Sequence, residues 1–418
     1  MSTLLETNPT PSRRDVEMSF DGHICRCTGY RPILEAFKDL ACDDNNDDDR
    51  EEVKFSCRKG ECGDIEDIAG GKPAKKAPAG GCKPRRNKLV RFEDRETGDE
   101  YWKPSDLSEL ILSLEVGEAA RNKAVHVIAS NTGMAVVKYY REDEIGQPPE
   151  GDCFFIDLSN VSELKAVVPE AASVKSGSGS EEPSYVAVGA ALAINELIEC
   201  LTKYFDSESA DGPESSAAVY QQVLRHFGRI ANLEVRAIGS WGGNIALAAK
   251  NPGFASDMAL VLAAIGVDID VLVGLEVKRM SVEQYFKLVR GRRDVGEVEP
   301  VIIRGYFPRR PAARFLFYAD KTAQRHVNAH AIVNFAALFN ISTNDEGVSI
   351  VGSSIFAGGL DEDNPRRLEF VERSIAGEKI DDDETLQAAL SALDRTFMLV
   401  NRRHPSSDAQ NSPQYRLS

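Results

Sequence analysis

The sequence predicts an α+β protein built from several domains, and three observations support this prediction. The chain has 418 residues, enough for about two to four domains of roughly 100–200 residues each. Hydrophobic residues account for 42% and charged residues for 28% of the chain, as in ordinary soluble globular proteins. From about residue 89 onward, short β-branched or aromatic runs alternate with stretches of helical periodicity.

The first 88 residues divide into a short helical segment and a linker. Pro32 suits a first helical turn, and apolar residues recur at helical spacing as far as Ala41, so residues 1–42 are predicted to form a small helical domain. Residues 43–52 are mostly acidic, and residues 70–88 are rich in Gly, Pro, Lys and Ala. Neither stretch can bury enough apolar surface to offset its ordering entropy, so residues 43–88 are predicted to be a disordered linker.

Residues 89–300 are predicted to form one mixed domain. A capped amphipathic helix is predicted over Asp106–Leu112. Strand and helix patterns then alternate along the chain. The strands are predicted at Ala124–Ala129, Val136–Tyr140, Phe154–Asp157 and Tyr185–Val188, and the helices at Ala190–Tyr204, Ala217–Ile230 and Phe254–Ala264.

A further segment, residues 301–401, follows Pro300, and the polar tail at residues 402–418 is predicted to be flexible. The predicted elements of this segment are apolar runs at Arg314–Tyr318 and Ala331–Phe339, a hairpin within Gly347–Gly359, and terminal helices at Arg366–Ile375 and Asp383–Val400.

The charge and the apolar runs exclude some classes of partner. The formal net charge of −16 and the isoelectric point near 5.0 oppose binding to nucleic-acid phosphates or to an anionic membrane surface. No run approaches the roughly 18–20 apolar residues of a membrane helix, and Met1–Arg14 lacks the apolar segment of a secretory signal. We therefore expect a cytoplasmic protein with neither nucleic acid nor membrane as a partner.

The first candidate ligand site is a turn of four small residues, Ser130, Asn131, Thr132 and Gly133, after an apolar run. Small residues let successive backbone N–H groups point outward together, which forms a nest that can hold an anion such as a pyrophosphate. Turns of this composition also connect strands in many proteins without binding anything, so a plain turn is the alternative.

The second candidate is a Gly-rich stretch between two apolar segments. It includes Gly239, Ser240, Gly242, Gly243 and Asn244. Its backbone would let a phosphate or a ring approach closely, and Ser240 and Asn244 would supply polar contacts. Neither turn matches the G-x-G-x-x-G or P-loop pattern, which disfavours a Rossmann or P-loop fold. Farther along, Asp257 is either the N-terminal cap of a helix or a carboxylate that binds ribose or amine groups, and the two roles are compatible.

Six of the eight Cys residues lie within the first 82 residues. In a reducing compartment this clustering favours a metal site over disulfides. Cys25 and Cys27 are candidate metal ligands, because thiolates two residues apart can bind neighbouring positions of an iron–sulfur cluster, which needs four ligands. Cys57 and Cys62 would complete the set, and spare thiols in a linker are the alternative.

Several motifs together resemble the xanthine dehydrogenase and aldehyde oxidase family of molybdenum hydroxylases. CRCTGYRPI, from Cys25, is similar to the end of the family's helical [2Fe-2S] domain. SNTGM, VRAIGSWGGNI and FASD resemble the family's two flavin loops and its S-D motif. FYADKTAQRHV resembles the segment that bears a flavin-contacting Lys, here Lys321, and IFAGGL is similar to the family's flavoprotein C-terminal domain.

The resemblance implies a particular fold and cofactor. It implies a partial helical [2Fe-2S] domain at 1–42, an FAD-binding PCMH-type domain of two α/β subdomains at 89–300, and a CO-dehydrogenase-flavoprotein-like C-terminal α+β domain at 301–401. FAD would place its pyrophosphate on residues 130–133 with residues 239–244 opposite, its ribityl or ribose side at Asp257 and its ring near Lys321. Electron transfer would belong to the flavin, so no catalytic acid or base is expected.

The chain also departs from the family pattern. The ferredoxin domain and the C-G-x-C half of the helical domain are missing from the sequence, so a [2Fe-2S] cluster would have an incomplete ligand set. Ser130 stands where the family has Gly, and Trp241 where a smaller apolar residue is usual. The sequence stops where molybdopterin domains would begin, so no molybdopterin is expected on this chain, and a truncated gene or a molybdopterin-bearing partner chain is implied.

The expected function is therefore that of an FAD-dependent oxidoreductase that passes electrons from iron–sulfur centres to NAD or oxygen, as a homodimer if it is part of a full enzyme. Two alternatives remain. One is a non-catalytic fragment that keeps the fold but has lost flavin binding, marked by Ser130 and Trp241. The other is a stand-alone flavoprotein medium subunit.

Overall fold

A computed structural model provides the structure of the chain. It describes residues 4–5, 8–20, 30–38, 41, 89–94, 97–120, 123–133, 153–170, 185–206, 215–291, 299–311, 314–325, 328–344, 347–360 and 364–403. The predicted linker at 43–88 and the predicted strand at Val136–Tyr140 lie outside these residues. The chain divides into two compact units, Met1–Asn87 and Lys88–Ser418.

The described part of the first unit includes two short helices, α1 (Arg13–Ser19) and α2 (Tyr30–Lys38). Ser12 and Asp15 form a capping box at the start of α1, in which each side chain accepts a hydrogen bond from the other residue's backbone. The rings of Phe20 and Phe37 lie 5.1 Å apart and pack the two helices together. The predicted helix is therefore confirmed as α2, whereas α1 was not predicted.

The second unit begins with a four-stranded sheet. Its elements are β1 (Val90–Glu93), β2 (Glu100–Lys103), α3 (Leu107–Ala119), β3 (Ala124–Ile128) and β4 (Cys153–Asp157). In the strand order β1-β2-β4-β3, β4 runs parallel to both of its neighbours, and β1 runs antiparallel to β2. Asp106 caps α3 as predicted, and Leu110 and Leu114 of α3 are buried in one cluster with Trp102 and Phe154.

A five-stranded antiparallel sheet follows, in the order β5-β6-β9-β7-β8. Its strands are β5 (Val167–Glu170), β6 (Tyr185–Gly189), β7 (Asp268–Val273), β8 (Glu276–Ser281) and β9 (Val301–Pro308). Its helices are α4 (Ile194–Leu201), α5 (Ala217–Phe227), α6 (Leu233–Ile238), α7 (Trp241–Lys250), α8 (Asp257–Ile265) and α9 (Val282–Gly291). The helices bury their apolar faces on one side of the sheet, and Leu272, Val301 and Ile303 on its other side pack against the first sheet.

The C-terminal segment forms a third sheet with two helices. Its elements are β10 (Phe315–Ala323), β11 (Ala331–Asn344), β12 (Gly347–Gly358), β13 (Arg366–Arg367), α10 (Glu369–Ile375) and α11 (Asp383–Arg403). Successive residues of a strand face opposite sides of a sheet. Ala336 and Phe356 accordingly join the core of the second sheet's helices, while Ala337 and Ile355 join the cluster that includes α10. The third sheet thus lies on the second sheet's helices, with β10 against α5 and with β11 and β12 against α8.

The structure corrects several sequence predictions. Gly347–Gly358 is one continuous strand and not a hairpin, because β12 pairs along its length with β11. The helix predicted from Arg366 begins at Glu369, since Arg366–Arg367 pairs with β12 as β13. The domain boundary at residue 300 remains a prediction, and the pairing of β9 with β6 and β7 favours a boundary after Pro308.

Among the described residues, no helix has both the length and the apolar character needed to cross a bilayer.

Candidate functional site

The first turn directly follows β3. Asn131 has φ +59°, in the left-handed region that Asn tolerates better than most residues. Ser130 and Asn131 are exposed, and Thr132 and Gly133 are half-buried. Within the described part of the chain, the N–H groups of residues 131–133 donate to no protein acceptor. These neighbouring N–H groups are therefore not used by the protein, which is one requirement of an anion-binding nest.

The second turn, residues 239–244, directly follows α6, and α6 fixes its position. Asn232 caps this helix by accepting a hydrogen bond from the Val235 backbone at 2.9 Å. Arg236 is completely buried, and its guanidinium Nη1 donates to the carbonyl of Ile230 at 2.7 Å. Arg236 thus ties the end of α6 to the preceding loop, which fixes where Gly239 lies.

Most backbone donors of the second turn are already used inside the protein, so this turn can offer few N–H groups to a ligand. The N–H groups with protein acceptors at 2.6–3.2 Å are those of Gly239, Trp241, Gly242, Gly243 and Asn244. Ser240 is only 6% exposed, and its N–H has no acceptor among the described residues. Because buried N–H groups almost always have a partner, Ser240 is the second-turn donor that remains for a ligand.

The two turns lie against each other, as predicted. A Cβ atom added to Gly239 would lie 3.1 Å from the Thr132 hydroxyl oxygen. A Cβ atom added to Gly133 would lie 3.3 Å from the Leu247 side chain on α7. Both glycines therefore allow a close approach that a side chain would disturb.

Trp241 does not obstruct this approach. Its side chain is fully buried in the core, its indole Nε1 donates to the Gly189 carbonyl at 2.7 Å, and its ring meets Phe307 edge-on at 5.9 Å. A Cβ atom on Gly305 would lie 2.8 Å from the indole ring, so this glycine makes room for the larger side chain. Ser130, the other departure, has no positive φ and does not need to be Gly.

The polar side chains of the second turn connect it to α8. Ser240 caps α7 by accepting a hydrogen bond from the Gly243 backbone at 3.1 Å. Asn244 Oδ1 accepts a hydrogen bond from the Ser256 hydroxyl at 2.6 Å. Ser256, and not Asp257, is the cap of α8, so the cap interpretation of Asp257 is wrong and its carboxylate is available for other contacts.

Asp257 lies in a buried cluster with Lys321, Asn334 and His226. Its Oδ2 accepts a hydrogen bond from Lys321 Nζ at 2.7 Å, and its Oδ1 accepts one from Asn334 Nδ2 at 2.8 Å. His226 Nε2 lies 3.4 Å from Oδ1. All four side chains are at least nine-tenths buried. The cluster joins α5, α8, β10 and β11.

The cluster keeps Asp257 ionised. Burial works to raise the pKa of Asp257, but the contact with His226 and the positive charge of Lys321 outweigh it, so the pKa is held well below its ordinary value of 3.8. Lys321 Nζ also donates to the carbonyls of Arg229 at 2.8 Å and Ala329 at 3.3 Å. These three contacts account for the three donors of an ammonium group.

The structure therefore brings most of the predicted site residues together. Thr132 and Gly133 lie next to the second turn and α7. Asn244 accepts a hydrogen bond from Ser256, and the next residue, Asp257, accepts one from Lys321. Cys25 and Cys27 lie outside the described residues.

Three site residues were missed from sequence: Arg236, His226 and Asn334. Asn334 carried a usable signal, because it is the single polar residue in the apolar run from Ala331 to Phe339.

Comparison with known proteins fits this geometry. A family model described as the FAD binding domain in molybdopterin dehydrogenase matches residues 92–303, just over half of the chain. The chain belongs to this family. Further models, for a [2Fe-2S] binding domain and for the CO dehydrogenase flavoprotein C-terminal domain, match residues 1–38 and 318–418. The three matches follow the order expected from the sequence motifs.

Individual relatives and solved structures agree with this assignment. The chain is 25% identical over 381 residues to abscisic-aldehyde oxidase of Arabidopsis thaliana, covering 87% of this chain and 25% of that protein. It is 30% identical over 290 residues to probable aldehyde oxidase 1 of Oryza sativa subsp. japonica, covering 65% and 18%. The chain thus spans a quarter or less of the length of these relatives.

The fold itself is similar to that of a solved carbon monoxide dehydrogenase chain from Hydrogenophaga pseudoflava. The TM-score is 0.54 at 18% identity, and the match covers 79% of this chain and 93% of that chain. The predicted architecture, an FAD-binding domain followed by a CO-dehydrogenase-flavoprotein-like C-terminal domain, is confirmed.

Proposed function

We propose that this chain binds FAD with the pyrophosphate on the first turn and acts as the flavin electron-transfer portion of a molybdenum hydroxylase. The observation that carries the proposal is the acceptor-free, left-handed turn at Asn131, which lies directly against Gly239. The family match supports FAD as the ligand of such a nest.

The first turn would supply the main contacts. The backbone N–H groups of residues 131–133 would donate to the pyrophosphate oxygens, and charge-assisted hydrogen bonds of this kind are stronger than neutral ones. Ser130 is exposed beside them and would add its hydroxyl. The N–H of Ser240 would donate from the opposite side, where Gly239, Gly242, Gly243 and Asn244 form the wall.

Asp257 and Lys321 would form the part of the site nearest the ribityl chain and the ring. Because all three donors of Lys321 are used within the protein, this side chain would act mainly by bracing Asp257 and by its positive charge. When bound, FAD would supply the electron-transfer chemistry, and these residues would bind and orient it.

The remaining partners are part of the same proposal. Electrons would reach the flavin from iron–sulfur centres, with Cys25 and Cys27 as two ligands of a set that this sequence does not complete. NAD or oxygen would be the acceptor, and a molybdopterin-bearing chain and a second copy of this chain would be the protein partners.

The test is the visible absorption spectrum of the purified full chain, with release of the bound cofactor by heat and its chromatographic identification. We expect flavin bands without an iron–sulfur shoulder, and FAD in the released fraction. A colourless chain that takes up no FAD on incubation would contradict the proposal and support a fragment that keeps the fold without the cofactor. Copurification with a molybdenum-containing chain would instead support a medium subunit.

A further inference from the structure

His226 is a buried polar residue to which the proposed flavin contacts assign no role. It lies in the last turn of α5 and is 1% exposed. Neither ring nitrogen has a hydrogen-bond partner among the described residues. Its Nε2 lies 3.4 Å from Asp257 Oδ1.

Packing by itself does not account for a histidine at this place. Burying a polar group without a hydrogen bond is unfavourable, and an apolar side chain of similar size would fill the same space without that cost. Val223, Leu224 and Phe227 of the same helix fill the neighbouring core with apolar side chains. The distinguishing contact of His226 is the one with the Asp257 carboxylate.

We propose that His226 is a positioning residue of the flavin site and acts through Asp257. This inference rests on the proposed function. Asp257 Oδ1 receives the Asn334 amide and faces His226, while Oδ2 receives Lys321, so the three neighbours together fix the rotation of the carboxylate. Without His226, the Oδ1 side of the Asp257 carboxylate would have one neighbour fewer, and its rotation would be less restricted.

The Asp257 carboxylate is connected to the second turn through the neighbouring residue Ser256 and its hydrogen bond to Asn244. Asp257 follows Ser256, and the Ser256 hydroxyl donates to Asn244 in the first turn of α7. Asn244 in turn lies four residues after Ser240, whose N–H is the free second-turn donor among the described residues. A shift of Asp257 therefore shifts residues that line the proposed cofactor.

Two matched substitutions at His226 distinguish the effect of ring nitrogen Nε2 from that of Nδ1. The side-chain nitrogen of His226→Gln can take the place of Nε2, whereas that of His226→Asn is too short to reach Asp257 and takes the place of Nδ1. Both variants keep a polar side chain of the same kind. FAD dissociation constants of the full-length wild type and of both variants are measured by quenching of flavin fluorescence.

We expect His226→Asn to raise the FAD dissociation constant about tenfold or more, the size of effect that one interaction with a charged group produces. We expect His226→Gln to remain within about threefold of the wild type, a difference of less than 1 kcal/mol. Val223→Ala is the control, since it weakens apolar packing in the same helix and leaves the polar partners of Asp257 in place. It should also remain within about threefold.

Three results would overturn the inference: unchanged affinity in His226→Asn, equal losses in His226→Asn and His226→Gln, or an equal loss in Val223→Ala. Each of these leaves the proposed function intact if the wild type binds FAD. A wild-type chain that binds no FAD contradicts the proposed function and this inference together.

Discussion

The first and second turns meet at one place in the molecule but are built in opposite ways. The first turn is exposed, contains a left-handed Asn131, and leaves the N–H groups of residues 131–133 without protein acceptors in the described structure. The second turn commits the N–H groups of five of the six residues from Gly239 to Asn244 to the protein.

The difference indicates a division of roles. Hydrogen bonds that are already made within the protein contribute to stability, whereas exposed and unused donors contribute to binding. We therefore expect changes at the second turn and its buried cluster to lower the free energy of unfolding. Changes at the first turn should instead lower the affinity for FAD and cost at most about 1 kcal/mol of unfolding free energy.

The largest loss of stability is expected in the buried cluster behind the second turn. Lys321→Met removes the cation that pairs with Asp257 and leaves a buried carboxylate without its main partner, which should cost about 3–5 kcal/mol of unfolding free energy. Urea denaturation measures this loss. Lys278→Met removes the cation of an exposed pair with Glu276 and should change stability by less than about 1 kcal/mol. Equal effects of the two substitutions would contradict a structural role for the cluster.

The cluster also predicts how stability depends on pH. The pKa of Asp257 is lower in the folded chain than its ordinary value of 3.8, so its contribution is complete above that pH and is lost as the pH falls further. Asp257→Asn has no carboxylate to protonate and should show a shallower acid decline of the unfolding free energy than the wild type. Parallel curves for the two proteins below about pH 5 would show that Asp257 is not held in its ionised form.

A smaller loss of unfolding free energy is expected when a methyl group is added to a glycine of the second turn. A Cβ atom on Gly242 would lie 2.7 Å from Ala190 Cβ and 2.8 Å from the Ala190 carbonyl oxygen, so Gly242→Ala should lose about 1–3 kcal/mol. Gly352→Ala is the matched control, because a Cβ atom there meets no atom within 4 Å. Thermal unfolding should separate the two variants, and equal melting temperatures would argue against tight packing at Gly242.

The smallest change in stability is expected in the first turn. Asn131 is left-handed, so Asn131→Ala should cost about 1 kcal/mol of unfolding free energy, and Asn131→Gly should cost less because Gly adopts this conformation freely. Ser130→Gly should be neutral within about 0.5 kcal/mol. Urea denaturation of the three variants tests this order, and a loss in Ser130→Gly as large as that from Gly242→Ala would remove the distinction between the turns.

Local features of the fold were predictable from sequence, whereas long-range pairings were not. The helix capped by Asp106 and the turn at Asn131 are encoded by a few adjacent residues, and the motifs of both turns pointed to their meeting. The extent of β12 and the placement of β9 depend on pairing with strands elsewhere in the chain.

The same reason explains what was missed in the site. The N–H groups of Trp241 and Gly242 donate to Leu192 and Ala190, about 50 residues earlier, and Lys321 meets Asp257 from 64 residues away. No spacing rule in the sequence reports such contacts. His226 was overlooked because a single histidine in a helix gives no pattern until the neighbouring carboxylate is known.

Binding of the FAD pyrophosphate by the first turn can be tested by comparing FAD with riboflavin, which carries no phosphate. The dissociation constants of both ligands are measured for the wild type and for Asn131→Ala. FAD should bind the wild type at least about 100-fold more tightly than riboflavin, since two or more charge-assisted hydrogen bonds depend on the phosphates. Asn131→Ala should narrow this difference in affinity, because Ala is less favourable than Asn in the left-handed conformation of the turn. Equal affinities for the two ligands, or a difference that the substitution leaves unchanged, would show that the first turn does not bind the pyrophosphate.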